Sequence, residues 1–268
     1  KHKKYLDAQL ESDEIINFLK QDTSEFRIFP VGKLANENRW AAFHLESIMG
    51  YHPAKLHNYN ELISKVGFQY PGVLQMLNVK YLISMEPLNH PLFNKVFQGK
   101  LYYQGQYTKA NVYEYMGYLE RVFFIDKLTT ISENTDQYEL FQKINFSPVT
   151  ESFIKSELEK TEFQSSNRNV HILERTADEI QLESFSESEQ FLVLSEVYYP
   201  RGWIAYIDDI ETEILEVNTV LRGIFVPKGL HKIRFTFDPQ DIRLGSLISS
   251  ICILLTFACI GIGFYRKI

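Results

Sequence analysis

Leu244 to Tyr265 reads LGSLISSICILLTFACIGIGFY, an apolar run without a single charged side chain. As an α-helix its 22 residues rise roughly 33 Å, enough to cross a hydrocarbon core of about 30 Å. A buried core helix this long and uncharged is costly to hide in a domain of this size, so the run is expected to be one transmembrane helix. Arg243 precedes it, Arg266 and Lys267 follow it, and Tyr265 stands at its edge, where an aromatic ring is favoured. Two cations after the span against one before it place the preceding chain outside the membrane and the C-terminus in the cytoplasm. Gly245/Ser249 and Cys259/Gly263 put small residues four apart on this helix, which lets another helix approach closely.

The residues before the span read as a folded, soluble part. Hydrophobic residues make up 45% and charged residues 23% of the chain, an ordinary globular balance rather than a disordered one. Phe and Tyr number 20 and 16, and their first use is the core, because aromatic side chains dominate burial. The net charge of −6 and the lack of a Lys/Arg stripe argue against nucleic acid as a partner. Both cysteines, Cys252 and Cys259, lie in the apolar run, so no disulfide staples the soluble part. The chain opens on Lys1, and Tyr5 to Lys20 is amphipathic rather than a signal-peptide run. The expectation is a C-terminal piece of a longer protein, with a processed N-terminus as the alternative.

The pattern predicts an α+β chain. From about Val170, apolar and polar residues alternate in short runs such as Lys232 to Phe237, the period of strands with one buried face. Strands are expected near 170–174, 179–185, 190–197, 203–208, 212–217, 220–226 and 230–237. Val226-Pro227-Lys228-Gly229 is expected as a hairpin connection between the last two. Seven short strands at this spacing argue for an antiparallel β-sandwich over 161–240.

Residues 1–160 mix both periods and read as a mixed α/β domain. Helices are expected over Asp7 to Lys20, Lys55 to Val66, Val73 to Leu77 and Gln137 to Ile144. Strands are expected over Phe26 to Phe29, Val79 to Ser84, Leu101 to Tyr103, Ala110 to Tyr115 and Val122 to Ile125. The charged stretch from Glu151 to Asn169 marks a boundary, with room for a helix over Glu151 to Lys160.

No standard catalytic, nucleotide or metal motif occurs, so no catalytic residue, metal or cofactor is assigned. One cluster stands out: Asn36 to His44, followed by Gly50 to His57. Arg39, His44, His52 and Lys55 could meet a phosphate or a uronic acid, and Trp40 and Tyr51 could stack on a sugar face. These six are the candidate ligand contacts. A polar loop packed on its neighbours is the alternative reading, and Pro53 suits a helix start. Asp208, Asp209, Glu211 and Glu213 form an acidic group that reads as a solvated hairpin tip more readily than as a Ca²⁺ site.

Several runs, taken in order, resemble the C-terminal part of bacterial YfhO-type membrane proteins: Asn36 to Leu56, Met76 to Ile83, Tyr198 to Asp208, Asn218 to Arg222 and Val226 to His231, followed at once by a last membrane helix. The resemblance covers nearly the whole chain. It implies a large polytopic protein of the bacterial cytoplasmic membrane, similar to GT-C glycosyltransferases that use polyprenyl-phosphate sugars to decorate cell-envelope polymers. The implied catalytic acid would lie in an outward loop near the first membrane helix, outside this sequence. The partners implied are the N-terminal membrane bundle of the same protein and a polyprenyl-phosphate sugar or envelope glycan. Two departures are visible: Asp209 stands where the turn would typically have Gly, and Met49 precedes Gly50 where a second Gly is usual. Whether the chain takes part in an enzyme stays open. The rival expectation is a non-catalytic, membrane-anchored glycan-binding or scaffolding module, while a signalling role is disfavoured by the short tail after the span.

Overall fold

The computed structural model describes residues 10–266 except 133, 144, 159, 165 and 166. The first residues of the expected Asp7 helix, and Lys267 of the charge count, lie outside the described residues. The chain divides into two compact units that interleave along the sequence. The first takes Lys1–Val170, Phe185–Tyr198 and Leu215–Gly229; the second takes His171–Ser184, Tyr199–Ile214 and Leu230–Ile268. The stretch 161–240, read from sequence as one domain, is shared between them.

In the first unit, helix α1 (Glu14–Leu19) lies within the expected Asp7 to Lys20 stretch, and Asp13 caps it by accepting the Ile16 N–H at 3.0 Å. Its buried Ile15, Ile16 and Leu19 pack on a four-stranded mixed sheet. That sheet has the order β1-β2-β4-β3, from β1 (Arg27–Pro30), β2 (Val79–Ser84), β3 (Phe93–Tyr103) and β4 (Gln106–Tyr115). β1 runs parallel to β2, and the other pairs are antiparallel. β3 is much longer than its expected Leu101 to Tyr103 core because its earlier half is largely exposed and carries little apolar alternation. Helices α2 (His57–Lys65) and α3 (Pro71–Met76) precede β2. Pro71 sits in the first turn of α3, where its missing N–H costs nothing. Pro53 does not start a helix; α2 begins at His57.

The first unit's second sheet has the order β13-β14-β10-β5, from β5 (Val122–Phe124), β10 (Gln190–Val197), β13 (Leu215–Val217) and β14 (Leu221–Val226). β10 is the strand expected at 190–197, almost wholly apolar from Phe191 to Val197, held between β14 and β5. Two short strands, β6 (Leu128–Thr130) and β7 (Ser152–Ile154), pair in parallel beside helix α4 (Gln137–Phe141). β7 occupies the start of the region where a helix over Glu151 to Lys160 was considered. Its Ser152, Phe153 and Ile154 are all buried, which an exposed helix would not provide. Phe141, Phe146 and Phe153 pack ring to ring in this core.

In the second unit, β8 (Arg168–Arg175), β9 (Glu179–Ser186), β11 (Trp203–Ile207), β12 (Ile210–Thr212) and β15 (Gly229–Phe237) form a sheet of order β12-β11-β15-β9-β8; β8 begins and β9 ends on residues of the first unit. The expected strands from Val170 onward are present, with 212–217 broken into two. They are distributed over two sheets, one of which recruits β5 from the N-terminal region. Val226-Pro227-Lys228-Gly229 is therefore not a hairpin turn. β14 pairs with β10 and β13, β15 pairs with β11, and the Pro-Lys-Gly link carries the chain from one sheet to the other. Pro227 supplies no N–H to either ladder, which suits a crossover. After Phe237, helix α5 (Gln240–Tyr265) follows, and none of its described residues is buried by protein.

The hairpin between β11 and β12 turns on Asp208 and Asp209 with φ of 49° and 66°, while Ile207 and Ile210 pair across it. Two successive left-handed residues define a type I′ turn, for which glycine at the second position is the least strained choice. Asp209 makes one exposed contact, to Arg234 Nη2 at 3.3 Å, and an ion pair of that kind contributes little. Asp209→Gly is therefore expected to stabilise the detergent-solubilised chain by roughly 0.5–1 kcal/mol in a urea titration; a lower midpoint would contradict this reading of the turn.

Candidate functional site

The six residues selected from sequence separate into two groups. Arg39 and Trp40 lie in the 3₁₀ turn Arg39–Phe43 and point into the core. The Arg39 guanidinium pairs with Asp13 at 2.6 Å, donates to the Glu11 carbonyl, and packs over the Phe43 and Tyr102 rings. Asp13 also accepts from the Tyr102 N–H at 3.0 Å, so one carboxylate joins α1, β3 and the 3₁₀ turn. Trp40 is 2% exposed and sits among the buried residues packed on α1 and β1. These two residues are consumed by packing.

His44, Tyr51, His52 and Lys55 are exposed on the loop that follows. His44 ends the 3₁₀ turn in the left-handed region at φ 60°. Asn38 holds the loop: its amide accepts from the Tyr51 N–H at 2.9 Å and donates to the Tyr51 carbonyl at 2.7 Å. Gly50, at φ 145°, passes so close that an added Cβ would lie 2.7 Å from Asn38 Oδ1. The His52 ring faces the Ala54 backbone at 2.9–3.1 Å, which fixes its orientation. The loop thus has a rigid base and a free polar rim.

Sequence reasoning missed two other groups. The first is an ionic cluster within the first unit. Arg121 is 1% exposed and donates to Glu46 at 2.8 Å and Glu196 at 2.7 Å. Arg27, on β1, donates to Glu196 at 3.1 Å and to Ser195 Oγ at 3.0 Å, and lies 3.4 Å from Glu46. The Ser195 hydroxyl in turn donates to the Met76 carbonyl at 2.7 Å. Burial pushes the Glu196 carboxyl up, but Arg27 and Arg121 outweigh it and hold the group below the usual range. Arg222 on β14 donates twice to the Val197 carbonyl, and desolvation lowers its pKa to about 10. Arg27 and Arg121 are paired with Glu46 and Glu196, and this cluster ties β1 to β10. Arg27, in a Phe-Arg-Ile-Phe run, gave no sign of it, because the partner carboxylates lie far along the chain.

The second missed group is a pocket of about 420 Å³ on the five-stranded sheet of the second unit, lined by residues of β8, β9, β11 and β15. Tyr206 and Arg234 face each other across the β11–β15 pair, and the guanidinium lies 4.5 Å from the ring centre. Lys232 stands beside them, and its backbone N–H donates to Asp208 at 2.9 Å. His231 Nδ1 lies 2.6 Å from the same carboxylate, and this contact, with the Lys232 N–H, holds the Asp208 carboxyl below its ordinary range. Gln181 and Leu173 complete the wall. The alternation of Lys232 and Arg234 with Ile233 and Phe235 marked an outward face, but nothing in sequence showed that β9 would lie beside β15. The acidic group at 208–213 is a hairpin tip whose two aspartates are engaged by His231, Lys232 and Arg234. Among the described residues, no group of three or more His, Cys, Asp or Glu is placed to hold a metal.

Residues 151–249 match the family model described as bacterial membrane protein YfhO. Over that stretch, somewhat over a third of the chain, it is similar to YfhO-type bacterial membrane proteins. The YfhO match runs from the residue before β7 into the first ten residues of α5, so it contains the whole pocket, Glu196 and Arg222, while the Arg39 to Lys55 loop lies outside it. No curated protein and no solved structure matches the chain.

The two groups of sequence-selected residues should separate in a stability measurement. Removing Arg39 leaves the buried Asp13 charge uncompensated, so Arg39→Ala should cost about 3–5 kcal/mol in a urea titration of the solubilised chain. His52→Ala should stay within about 0.5 kcal/mol of the parent. Equal, small effects would contradict the assignment of Arg39 to the core.

Proposed function

We infer that this chain is the extracytoplasmic accessory region of a polytopic, glycosyltransferase-like YfhO protein that acts on cell-envelope polymers with polyprenyl-phosphate sugar donors. The observation that carries this reading is the pocket on the five-stranded sheet together with its tether. Arg234 is ten residues before Leu244, where the uncharged run begins. Five extended and five helical steps span at most roughly 25 Å, so the pocket stays close to the membrane surface.

Its chemistry suits an anionic sugar. Arg234 presents a planar fork for a phosphate or carboxylate, braced by the Tyr206 ring, and Lys232 adds a second cation. Gln181 and Asp208 can exchange hydrogen bonds with hydroxyls, and the half-exposed Leu173 offers an apolar surface to a sugar's C–H face. In this reading the soluble units lie outside the cytoplasmic membrane and the C-terminus lies inside. The remaining membrane bundle of the same protein supplies the catalytic groups. The exposed His44, Tyr51, His52 and Lys55 form a second contact for donor or acceptor, with Arg39 and Trp40 as their support. A glycan-binding module without catalysis is the second reading, favoured by the pocket being complete within one unit of this chain.

In the full-length protein, at matched protein level, Arg234→Ala and Tyr206→Ala should lower polymer glycosylation roughly 10–100-fold, the worth of one charged hydrogen-bonding group. A paired His52→Ala and Lys55→Ala variant should also lose activity. Unchanged glycosylation would overturn the accessory role. If the same variants abolished glycan binding by the solubilised chain while cellular glycosylation stayed normal, the binding-module reading would replace it.

A further inference from the structure

The first unit carries a second cleft that the pocket above does not involve, of about 440 Å³, at the β3–β4 hairpin against the start of α1. Lys100 and Lys109 line it and are direct partners in the β3–β4 register. Directly opposed residues on an antiparallel pair hold their Cβ atoms about 5 Å apart, and like charges in that position repel. Both side chains are exposed, and among the described residues neither ammonium has a carboxylate within ion-pair distance. One carboxylate, Glu14, lines the cleft, and it is engaged by the backbone N–H of Lys100 at 2.8 Å. Gly99 makes that approach possible, since an added Cβ would lie 2.9 Å from Glu14 Cβ and Oε2.

The same hairpin supplies an aromatic platform. Tyr107 is 54% exposed, and its ring rests edge-on against Tyr102 at 5.4 Å. Tyr102 is buried and carries the Arg39 guanidinium at 5.6 Å, so the platform is backed by the core. Gln98 and Thr108 add an amide and a hydroxyl at the rim.

We propose that this cleft binds an anionic saccharide chain, with Lys100 and Lys109 clamping one phosphate or carboxylate between them and Tyr107 stacking on the adjoining sugar ring. A bridging anion turns the repulsion between the two lysines into a shared attraction, and the one carboxylate in the cleft, Glu14, is engaged by the Lys100 backbone. This site goes beyond the reading of the pocket on the five-stranded sheet and uses none of its residues.

The test is binding of three labelled oligomers to the full chain in detergent: an oligogalacturonate, a phosphate-bearing mannan oligomer and a neutral dextran. At least one acidic oligomer is expected to bind and the dextran is not. The paired Lys100→Gln and Lys109→Gln variant should bind at least tenfold more weakly and show a smaller salt dependence. The paired Lys→Arg variant should bind like the parent, and Arg234→Ala should leave this binding in place. The Gln variant should melt no lower than the parent, because a like-charge pair has been removed, so its loss of binding is not a loss of fold. Preference for the phosphate or the uronate oligomer tells which acidic group the clamp takes. Dextran binding as tight as that of the acids, no binding of either acid, or an unaffected Gln variant would each overturn the proposal.

Discussion

Helix α5 sets the terms for the rest of the molecule. None of its described residues is buried, although Ile, Leu, Phe and Cys make up much of its length. Burying a single such side chain is worth about 1.5–3 kcal/mol, and a bare helix of this length and apolarity has the dimensions of a membrane span. Its backbone groups are satisfied within the helix, as a spanning segment requires. The junction is polar: Arg243 pairs with Asp238 at 2.6 Å, and Arg201 reaches Asp241 at 3.5 Å. The charges therefore stop where the apolar run begins. The short link at Asp238-Pro239 joins the end of β15, and with it the sheet that carries Tyr206 and Arg234, to this apolar helix.

The first unit solves a different problem, since its two main sheets come from distant parts of the sequence. Apolar packing joins them in part, and the Arg27, Arg121, Glu46 and Glu196 cluster specifies which strands meet. Buried charges contribute little net stability when paired and are severe when unpaired. Such a cluster therefore acts mainly against wrong arrangements: a register that carried Glu196 away from both Arg27 and Arg121 would strand a buried carboxylate. Asn218 plays a similar part at the β13–β14 turn. It takes φ 48°, accepts the Phe153 N–H at 2.8 Å and donates to Ser152 at 3.0 Å, which locks that turn onto β7.

Local pattern made the strands of the C-terminal half, the short helices near 57 and 71 and the membrane helix readable in advance, because each is decided by period, length and breakers within a few residues. What local pattern could not decide was partnership. The Pro-Lys-Gly link looks like a hairpin from inside its own window and becomes a crossover only when β10 competes for β14. Glu151 to Lys160 carries enough charge to read as helix, yet Phe153 and Ile154 are needed as a buried strand. The candidate site was partly legible for the same reason. Arg39 and Trp40 have the composition of a ligand site, but the nearby Asp13 and the first unit's core claim them. The facing of Tyr206 by Arg234, and of Lys100 by Lys109, depends on register and is invisible to a one-dimensional reading.

The proposed arrangement, with both units outside the membrane and held close to its surface by α5, can be tested directly. The direct measurement replaces Cys252 and Cys259 with serine in the full-length protein, introduces Ile210→Cys on the exposed β12, and treats intact cells with a membrane-impermeant maleimide. Ile210 is 74% exposed, so access within the fold does not limit labelling. With the units outside, labelling of intact cells is expected to equal that of permeabilised cells. Labelling that appears only after permeabilisation would place the units in the cytoplasm and contradict that arrangement.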